Sequence, residues 1–230
     1  MHPKRDNKMN FFFNKPKQTV VCVHGFGRNL SHEFDPLKAF LQEKGYDVVT
    51  FDMYDPNDPS DCNYKDWIEK AEKMMSSVIS RGRSVILVGF SMGGVIASYL
   101  ASIYPVTRLI LVAPAFHYMN LHQVDKTVKG VFNSDDVNTS MPRSMTKACQ
   151  EIVDRYGASI THISCPVLMI HGTDDDIILP SSSKRAFQDI PHSKKRLIYV
   201  EGGGHKMLYD GKQEKTVHTL VLNMIEDSLF

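Results

Sequence analysis

Residues 85–94 decide the fold, and they read Val85-Ile86-Leu87-Val88-Gly89-Phe90-Ser91-Met92-Gly93-Gly94. Four apolar residues are followed at once by the pattern G-x-S-x-G. A strand that turns abruptly into a helix holds the residue at the turn in a strained conformation. Small residues two positions before and after it leave room for that turn. The stretch therefore predicts a buried strand, a sharp turn at Ser91 and a helix that follows.

The predicted turn would raise the Ser91 hydroxyl above the ends of the strands. It would also set that hydroxyl at the N-terminus of a helix, whose free amides favour a developing anion. A lone G-x-S-x-G occurs often by chance, and a glycine-rich turn with an incidental serine is the alternative. The position between a buried strand and a helix favours a nucleophile.

On both sides of this stretch, short apolar runs alternate with segments whose apolar residues recur at helical spacing. Strands are predicted at residues 20–23, 48–51, 85–88, 109–112, 167–170 and 197–200. Helices are predicted from apolar stripes at 34–41 and 67–78, after Ser91, and from about residue 214. Consecutive apolar positions indicate strands covered on both faces. The alternation predicts the α/β class, with a mostly parallel sheet and helices on both faces.

The interval from residue 116 to 164 contains no clear strand and is too long for an ordinary connection. It predicts a small helical lid at about 116–160, inserted in a single domain of residues 1–230, with a helix at about 146–156. A further strand is predicted at residues 9–13, before the first buried one.

A serine needs a base to take its proton and an acid to orient that base. In sheets of this kind the three follow in the order Ser, Asp, His, each after a later strand. Of ten histidines, His205 is the one that lies in a glycine-rich loop between the last strand and the final helix. His205 is therefore the predicted base. His24 and His171 each end a strand before a glycine and are expected to organise loops by hydrogen bonding.

The acid is expected directly after the strand at 167–170, where three aspartates stand in a row. Counting from the glycine at the strand end selects Asp175, whereas counting back from Pro180 selects Asp176. We favour Asp175, because the strand end fixes geometry more tightly than a later turn. A solvated acidic turn accounts for the remaining two.

The stretch His24-Gly25-Phe26-Gly27 follows the first buried strand and predicts an anion site for a tetrahedral intermediate. The Phe26 and Met92 backbone N–H groups are the predicted donors. A phosphate loop is excluded, because neither a Gly-Lys-Ser/Thr sequence nor a third glycine in dinucleotide register follows.

The composition of the chain limits the classes of partner and site that it can have. Lys and Arg number 27 and Asp and Glu 26, so the net charge of +1 gives no field to hold nucleic acid. No run approaches the roughly 20 apolar residues of a membrane span. The four scattered cysteines have no metal-type spacing, which predicts neither a metal nor a disulfide scaffold but a reducing, cytoplasmic location.

With these residues placed, the chain resembles the α/β-hydrolase superfamily, and within it small carboxylesterases and monoacylglycerol-lipase-like serine hydrolases. The resemblance rests on the loop at 24–27, the elbow at 89–93, the acid turn at 171–175 and Gly204-His205. It implies a lid over an apolar acyl pocket and no cofactor. Candidate pocket residues are Phe26, Met92, Phe116, Tyr118, Met119 and Met207.

The expected activity is hydrolysis of carboxylic esters through an acyl-enzyme, with short- to medium-chain acyl esters or monoacylglycerol-like molecules as substrates. A thioesterase or a small-peptide amidase would use the same constellation. A ligand receptor on a hydrolase scaffold is the alternative from another class, since fold alone does not determine function.

Overall fold

The computed structural model describes residues 18–117 and 141–230, and in these ranges six strands form one parallel sheet. The strands are β1 (Gln18–Val23), β2 (Asp47–Thr50), β3 (Ser84–Phe90), β4 (Val106–Val112), β5 (Val167–Gly172) and β6 (Lys195–Val200). Their order is β2-β1-β3-β4-β5-β6, so β3 lies inside the sheet and β6 forms one edge. All five pairings are parallel.

Helices cover both faces of this sheet. They are α1 (Asp35–Glu43), α2 (Tyr64–Ser80), α3 (Met92–Ile103), α4 (Arg143–Tyr156), α5 (Pro180–Asp189) and α6 (Glu214–Ile225), with 3-10 helices at Leu30–Phe34 and Gly157–His162. Successive strand residues point to opposite faces. Val21 and Leu87 therefore pack in the cluster with α2, α3 and α4, while Val20 and Ile86 pack in the cluster with α1 and α6. Burial on both faces explains the uninterrupted apolar runs, and the predicted α/β class is confirmed.

Helix α5 has no apolar stripe in the sequence that would predict it. Its buried positions are Ser182, Ser183 and Ala186, so the face turned to the protein interior carries two hydroxyls and one methyl group. An apolar stripe is the signal that reveals an amphipathic helix in a sequence. The apolar stripe is missing from α5 because its buried contacts are made by two serines and one alanine.

The described part of the predicted insertion is helical. The helix predicted at 146–156 begins three residues earlier, at Arg143, and buries Met145, Cys149 and Ile152 against the core on the α3 side of the sheet. Residues 118–140 lie outside the described ranges, as does the strand predicted at 9–13. The lid and the single-domain organisation stay predictions.

The parallel arrangement brings four loops to one edge of the sheet. The loop after β1 holds residues 24–27, β3 ends immediately before Ser91, β5 leads into Asp175, and β6 leads into His205. The carboxyl ends of parallel strands are where ligand sites of open α/β sheets lie. The predicted site residues therefore meet at this edge.

Candidate active site

Ser91 occupies a strained turn between β3 and α3. Its φ and ψ are 53° and −121°, a conformation that L-residues rarely adopt. Its N–H donates to the Val112 carbonyl at 3.1 Å, which fastens the turn to β4. A Cβ on Gly93 would lie 2.0 Å from the Val23 carbonyl oxygen, and one on Gly89 would lie 2.5 Å from the Gly93 carbonyl oxygen. The two glycines are required because the backbone itself occupies the space of a side chain.

His205 bridges the serine and the acid. Its Nε2 lies 3.1 Å from Ser91 Oγ, and its Nδ1 lies 2.8 Å from Asp175 Oδ2. A carboxylate at Nδ1 requires the hydrogen there, which leaves Nε2 free to accept from the serine hydroxyl. The imidazole also packs against the Phe90 ring, with centroids 5.1 Å apart. The structure thus brings Ser91, His205 and Asp175 into one hydrogen-bonded chain.

Asp175 is buried and fully satisfied as an acceptor. Its Oδ1 accepts from the Ile177 and Ile178 N–H groups at 3.0 and 2.8 Å, and its Oδ2 accepts from His171 as well as His205. Burial alone would raise the pKa of Asp175, but the hydrogen bonds from the two histidines and from Ile178 hold its pKa below the usual value. This carboxylate is therefore ionised at neutral pH.

The neighbouring aspartates have other surroundings. Asp174 and Asp176 are exposed, whereas Asp175 is 3% exposed. The Asp174 carboxylate accepts from the Thr173 hydroxyl at 3.0 Å. Of the three carboxylates, the one that reaches the His205 ring is Asp175.

His171 forms a second hydrogen-bonded chain to the same carboxylate. Its Nε2 lies 2.7 Å from the Ile178 carbonyl and 3.1 Å from Asp175 Oδ2, while its Nδ1 lies 2.6 Å from Ser183 Oγ. Nε2–H therefore donates, and Nδ1 accepts from the Ser183 hydroxyl. His171 and Ser183 are both completely buried. The two side chains therefore hold Asp175 from the protein interior and offer no surface to a substrate.

The acid turn and the histidine loop are joined by their backbones. The Asp174 N–H donates to the Gly203 carbonyl at 2.9 Å, and the Gly202 N–H donates to the Thr173 hydroxyl at 2.9 Å. The Thr173 N–H in turn donates to the Val200 carbonyl at 3.0 Å. These bonds make the ends of β5 and β6 a single unit that carries both the acid and the base.

The loop after β1 presents an N–H group whose direction is set by a neutral histidine. His24 Nε2 accepts from the Met53 N–H at 3.0 Å, so the hydrogen lies on Nδ1, which donates to the Gly25 carbonyl at 2.7 Å. Burial lowers the pKa of His24 from 6.5 to about 4, which keeps the ring neutral. In a trans peptide the C=O and N–H point in opposite directions. Fixing the Gly25 carbonyl therefore fixes the Phe26 N–H on the other side of the same peptide.

Tyr54 holds the far end of this loop. The Gly27 N–H donates to the Tyr54 hydroxyl at 2.8 Å, and that hydroxyl donates to the Gly27 carbonyl at 2.9 Å. Within the described residues, neither the Phe26 N–H nor the Met92 N–H donates to a protein acceptor. Both groups are therefore available to a ligand. No short sequence motif contains Tyr54, because its partner Gly27 lies 27 residues away in the sequence.

The candidate pocket residues divide between two faces of the sheet. Phe26 stacks on Trp67, with centroids 6.3 Å apart, and Met92 and Phe116 belong to the same core cluster. Met207 packs in the cluster on the opposite face. Met92 and Met207 are almost completely buried, so core packing accounts for both side chains. The candidates Tyr118 and Met119 lie outside the described residues.

In residues 18–117 and 141–230 no group of three or more His, Cys, Asp or Glu side chains is arranged to hold a metal ion. The helices described there are too short or too polar to cross a bilayer. All four cysteines are free thiols.

Comparison with known proteins places this arrangement in a family. A thermostable monoacylglycerol lipase from Bacillus sp. (strain H-257) is 21% identical over 213 residues, which cover 84% of this chain and 85% of the relative. Solved structures with a similar fold include one from a study of two metagenome-derived lipolytic enzymes, LipS and LipT, at a TM-score of 0.76, 17% identity and coverage of 92% of this chain and 94% of the other. They also include a monoacylglycerol lipase from Paleococcus ferrophilus, at a TM-score of 0.71, 18% identity and coverage of 92% and 96%. The sequence profile of the Alpha/beta hydrolase family matches residues 20–218, and the chain belongs to that family.

Proposed function

We propose that this chain is a carboxylic ester hydrolase that acts through an acyl-enzyme on Ser91. The observation that carries the proposal is the continuous hydrogen-bonded chain from Ser91 Oγ through both nitrogens of His205 to Asp175. Nucleophile, base and orienting acid at these distances are the requirements for activating a serine at neutral pH.

In the first half of the reaction Ser91 Oγ attacks the ester carbonyl carbon while its proton passes to His205 Nε2. The resulting imidazolium is stabilised by Asp175, whose depressed pKa keeps it a carboxylate. Collapse of the tetrahedral intermediate breaks the bond to the alcohol, which leaves with the proton from His205. The acyl group remains on Ser91.

In the second half a water molecule takes the place of the alcohol. It gives a proton to His205 Nε2 and attacks the acyl carbonyl, and the second intermediate releases the acid as the proton returns to Ser91. The same three side chains therefore serve both halves, and no cofactor takes part.

The negative oxygen of each intermediate would be bound by the Phe26 and Met92 N–H groups. Both are without a protein acceptor in the described ranges, and the peptide that carries the Phe26 N–H is held by His24. Donors fixed before the reaction need no reorganisation when charge develops, and one such donor is worth about 3–4 kcal/mol of transition-state stabilisation.

As substrates we propose short- to medium-chain acyl esters or monoacylglycerol-like molecules. The similarity to a monoacylglycerol lipase over most of both chains supports this class. Phe26 is partly exposed and offers apolar surface on the α3 side of the sheet for the acyl chain, beside the buried Phe116. The lid predicted at about 116–160 would complete that pocket.

The experiment compares wild type with Ser91→Ala, using p-nitrophenyl butyrate turnover and labelling by a fluorophosphonate probe. We expect labelling at Ser91 in the wild type, and a loss of about 10⁴–10⁶ in kcat with no labelling in the variant. Ser102→Ala is the matched control, because Ser102 lies on the same helix and its hydroxyl donates to the Tyr99 carbonyl, its one partner among the residues that the structure describes. Undiminished turnover by Ser91→Ala, or a wild type that neither turns over esters nor reacts with the probe, would refute the proposal. The second result would favour a receptor.

A further inference from the structure

A buried carboxylate lies behind the loop that carries the Phe26 N–H. Glu33 belongs to the 3-10 helix Leu30–Phe34 and is 5% exposed. Its Oε2 accepts from the Gly25 N–H at 2.9 Å. The proton transfers proposed above do not use this side chain. A carboxylate withdrawn from water is unfavourable unless several donors satisfy it, so its retention calls for an explanation.

The loop that carries His205 faces the same carboxylate. The Tyr209 hydroxyl, four residues beyond His205, and the Lys206 ammonium both lower the pKa of the Glu33 carboxyl, so both side chains are turned toward it. The carboxylate therefore lies between the loop after β1, which donates the Gly25 N–H to it, and the loop after β6, which brings Tyr209 and Lys206 to it.

The Phe90 ring links the same elements from the β3 side. It packs against His205 at 5.1 Å and meets Tyr209 edge-on at 5.8 Å between centroids. Because Phe90 directly precedes Ser91, the nucleophile, the base and the proposed oxyanion donor all adjoin this small assembly.

We infer that Glu33 is a positioning residue, which fixes the proposed oxyanion loop relative to the histidine loop by accepting from the Gly25 N–H while it faces Tyr209 of the histidine loop. The inference rests on the proposed ester hydrolase. Glu33 does not touch the reacting atoms. It acts through the Gly25–Phe26 segment, whose displacement by a fraction of an ångström would weaken the bond to the oxyanion.

The test measures kcat and KM for p-nitrophenyl butyrate together with the affinity of a butyl trifluoromethyl ketone, which adds to a serine as a tetrahedral oxyanion. Glu33→Met keeps the length of the side chain and removes both acceptors. We expect kcat to fall about 10- to 100-fold, the ketone to bind more weakly by the same factor, and KM to change less than about threefold. Glu33→Gln keeps an acceptor for the Gly25 N–H and should retain kcat within about fivefold of wild type.

Tyr209→Phe approaches the assembly from the other loop and guards against a Glu33→Met variant that fails to fold. Its effect on kcat should be smaller in the Glu33→Met background than in wild type, because Tyr209 would act on the proposed oxyanion loop through Glu33. Glu43→Met, at an exposed position at the end of α1, is the control. Active sites are counted by fluorophosphonate titration, so that a misfolded fraction does not lower kcat.

Two failures are distinguishable. If Ser91→Ala still hydrolyses the ester, the proposed function is wrong. If the wild type acts through Ser91 but neither Glu33→Met nor Tyr209→Phe weakens ketone binding, the positioning role is wrong. A fall in kcat without a matching fall in ketone affinity would also overturn it, because an oxyanion effect must appear in both measurements.

Discussion

Replacing Glu33 with glutamine should make the protein more stable at pH 8. Burial raises the pKa of this carboxyl from an ordinary 4.5 to about 7, although the Gly25 N–H, Tyr209 and Lys206 each lower it. Such a rise means that the folded state holds the ionised form less well than the unfolded chain does. A tenfold change in the ionisation constant corresponds to about 1.4 kcal/mol. The raised pKa of Glu33 therefore lowers the free energy of unfolding at pH 8 by about 3 kcal/mol. Glutamine has nearly the shape of the protonated acid and avoids this penalty.

The raised pKa of Glu33 determines the pH range over which the stability of wild type and Glu33→Gln should diverge. Between pH 4.5 and 7 the unfolded chain has lost the Glu33 proton while the folded protein still holds it, so wild-type stability falls as pH rises. Above pH 7 both states are ionised and the difference becomes constant. The advantage of Glu33→Gln should therefore be small at pH 4.5, grow up to about pH 7, and level off near 3 kcal/mol.

Urea unfolding followed by circular dichroism at pH 4.5, 6, 7 and 8 measures the free energy of unfolding of both proteins. Glu43→Gln, at an exposed position on α1, should show no pH-dependent difference from wild type. A Glu33→Gln advantage that is equal at pH 4.5 and pH 8, or a variant less stable than wild type at pH 8, would refute the reasoning. Together with the expected loss of kcat in Glu33→Met, the result would show that Glu33 is kept for its position and not for stability.

Three further predictions concern the same edge of the sheet. Asp175→Asn should lower kcat about 10⁴-fold while Asp174→Asn and Asp176→Asn stay near wild type, and an Asp175→Asn that is the mildest of the three would contradict the assignment. Gly93→Ala should lose at least about 4 kcal/mol of unfolding free energy, measured in urea, because its Cβ would meet the Val23 carbonyl at 2.0 Å. Tyr54→Phe should lose about 1–3 kcal/mol in the same assay, since the Gly27 N–H then has no acceptor, and an unchanged midpoint would show that water replaces the hydroxyl.

The parts of the site that could be predicted from sequence are those set by local geometry. The turn at Ser91 is visible because the strand and two glycines lie within six residues of each other. Asp175 follows from a count of three residues after the glycine that ends β5, and the structure brings that aspartate to His205. In both cases the chain between landmark and side chain is too short to adopt many conformations.

The supporting residues could not be predicted, because their partners are distant in the sequence. Glu33 meets a tyrosine 176 positions later, Tyr54 meets the loop at 24–27, and His171 reaches Ser183 on a helix without an apolar stripe. Met207, a pocket candidate from the family resemblance, lies two residues from His205, yet the loop turns its side chain into the core on the opposite face. Proximity along the chain does not determine which face of a sheet a loop residue covers.

The place of β6 at the border of the sheet has a consequence for inactivation. Among the strands of residues 18–117 and 141–230, β6 has a neighbour on one side alone. The loop that follows it carries His205 together with the backbone hydrogen bonds to the acid turn. Peripheral strands open at a lower free energy than interior ones. Detachment of β6 would withdraw His205, the proposed general base, while β1, β3 and β4 remain paired. Catalysis should therefore fail at milder heat or denaturant than circular dichroism registers, and enzyme activity would report on fraying at this border before the rest of the sheet melts.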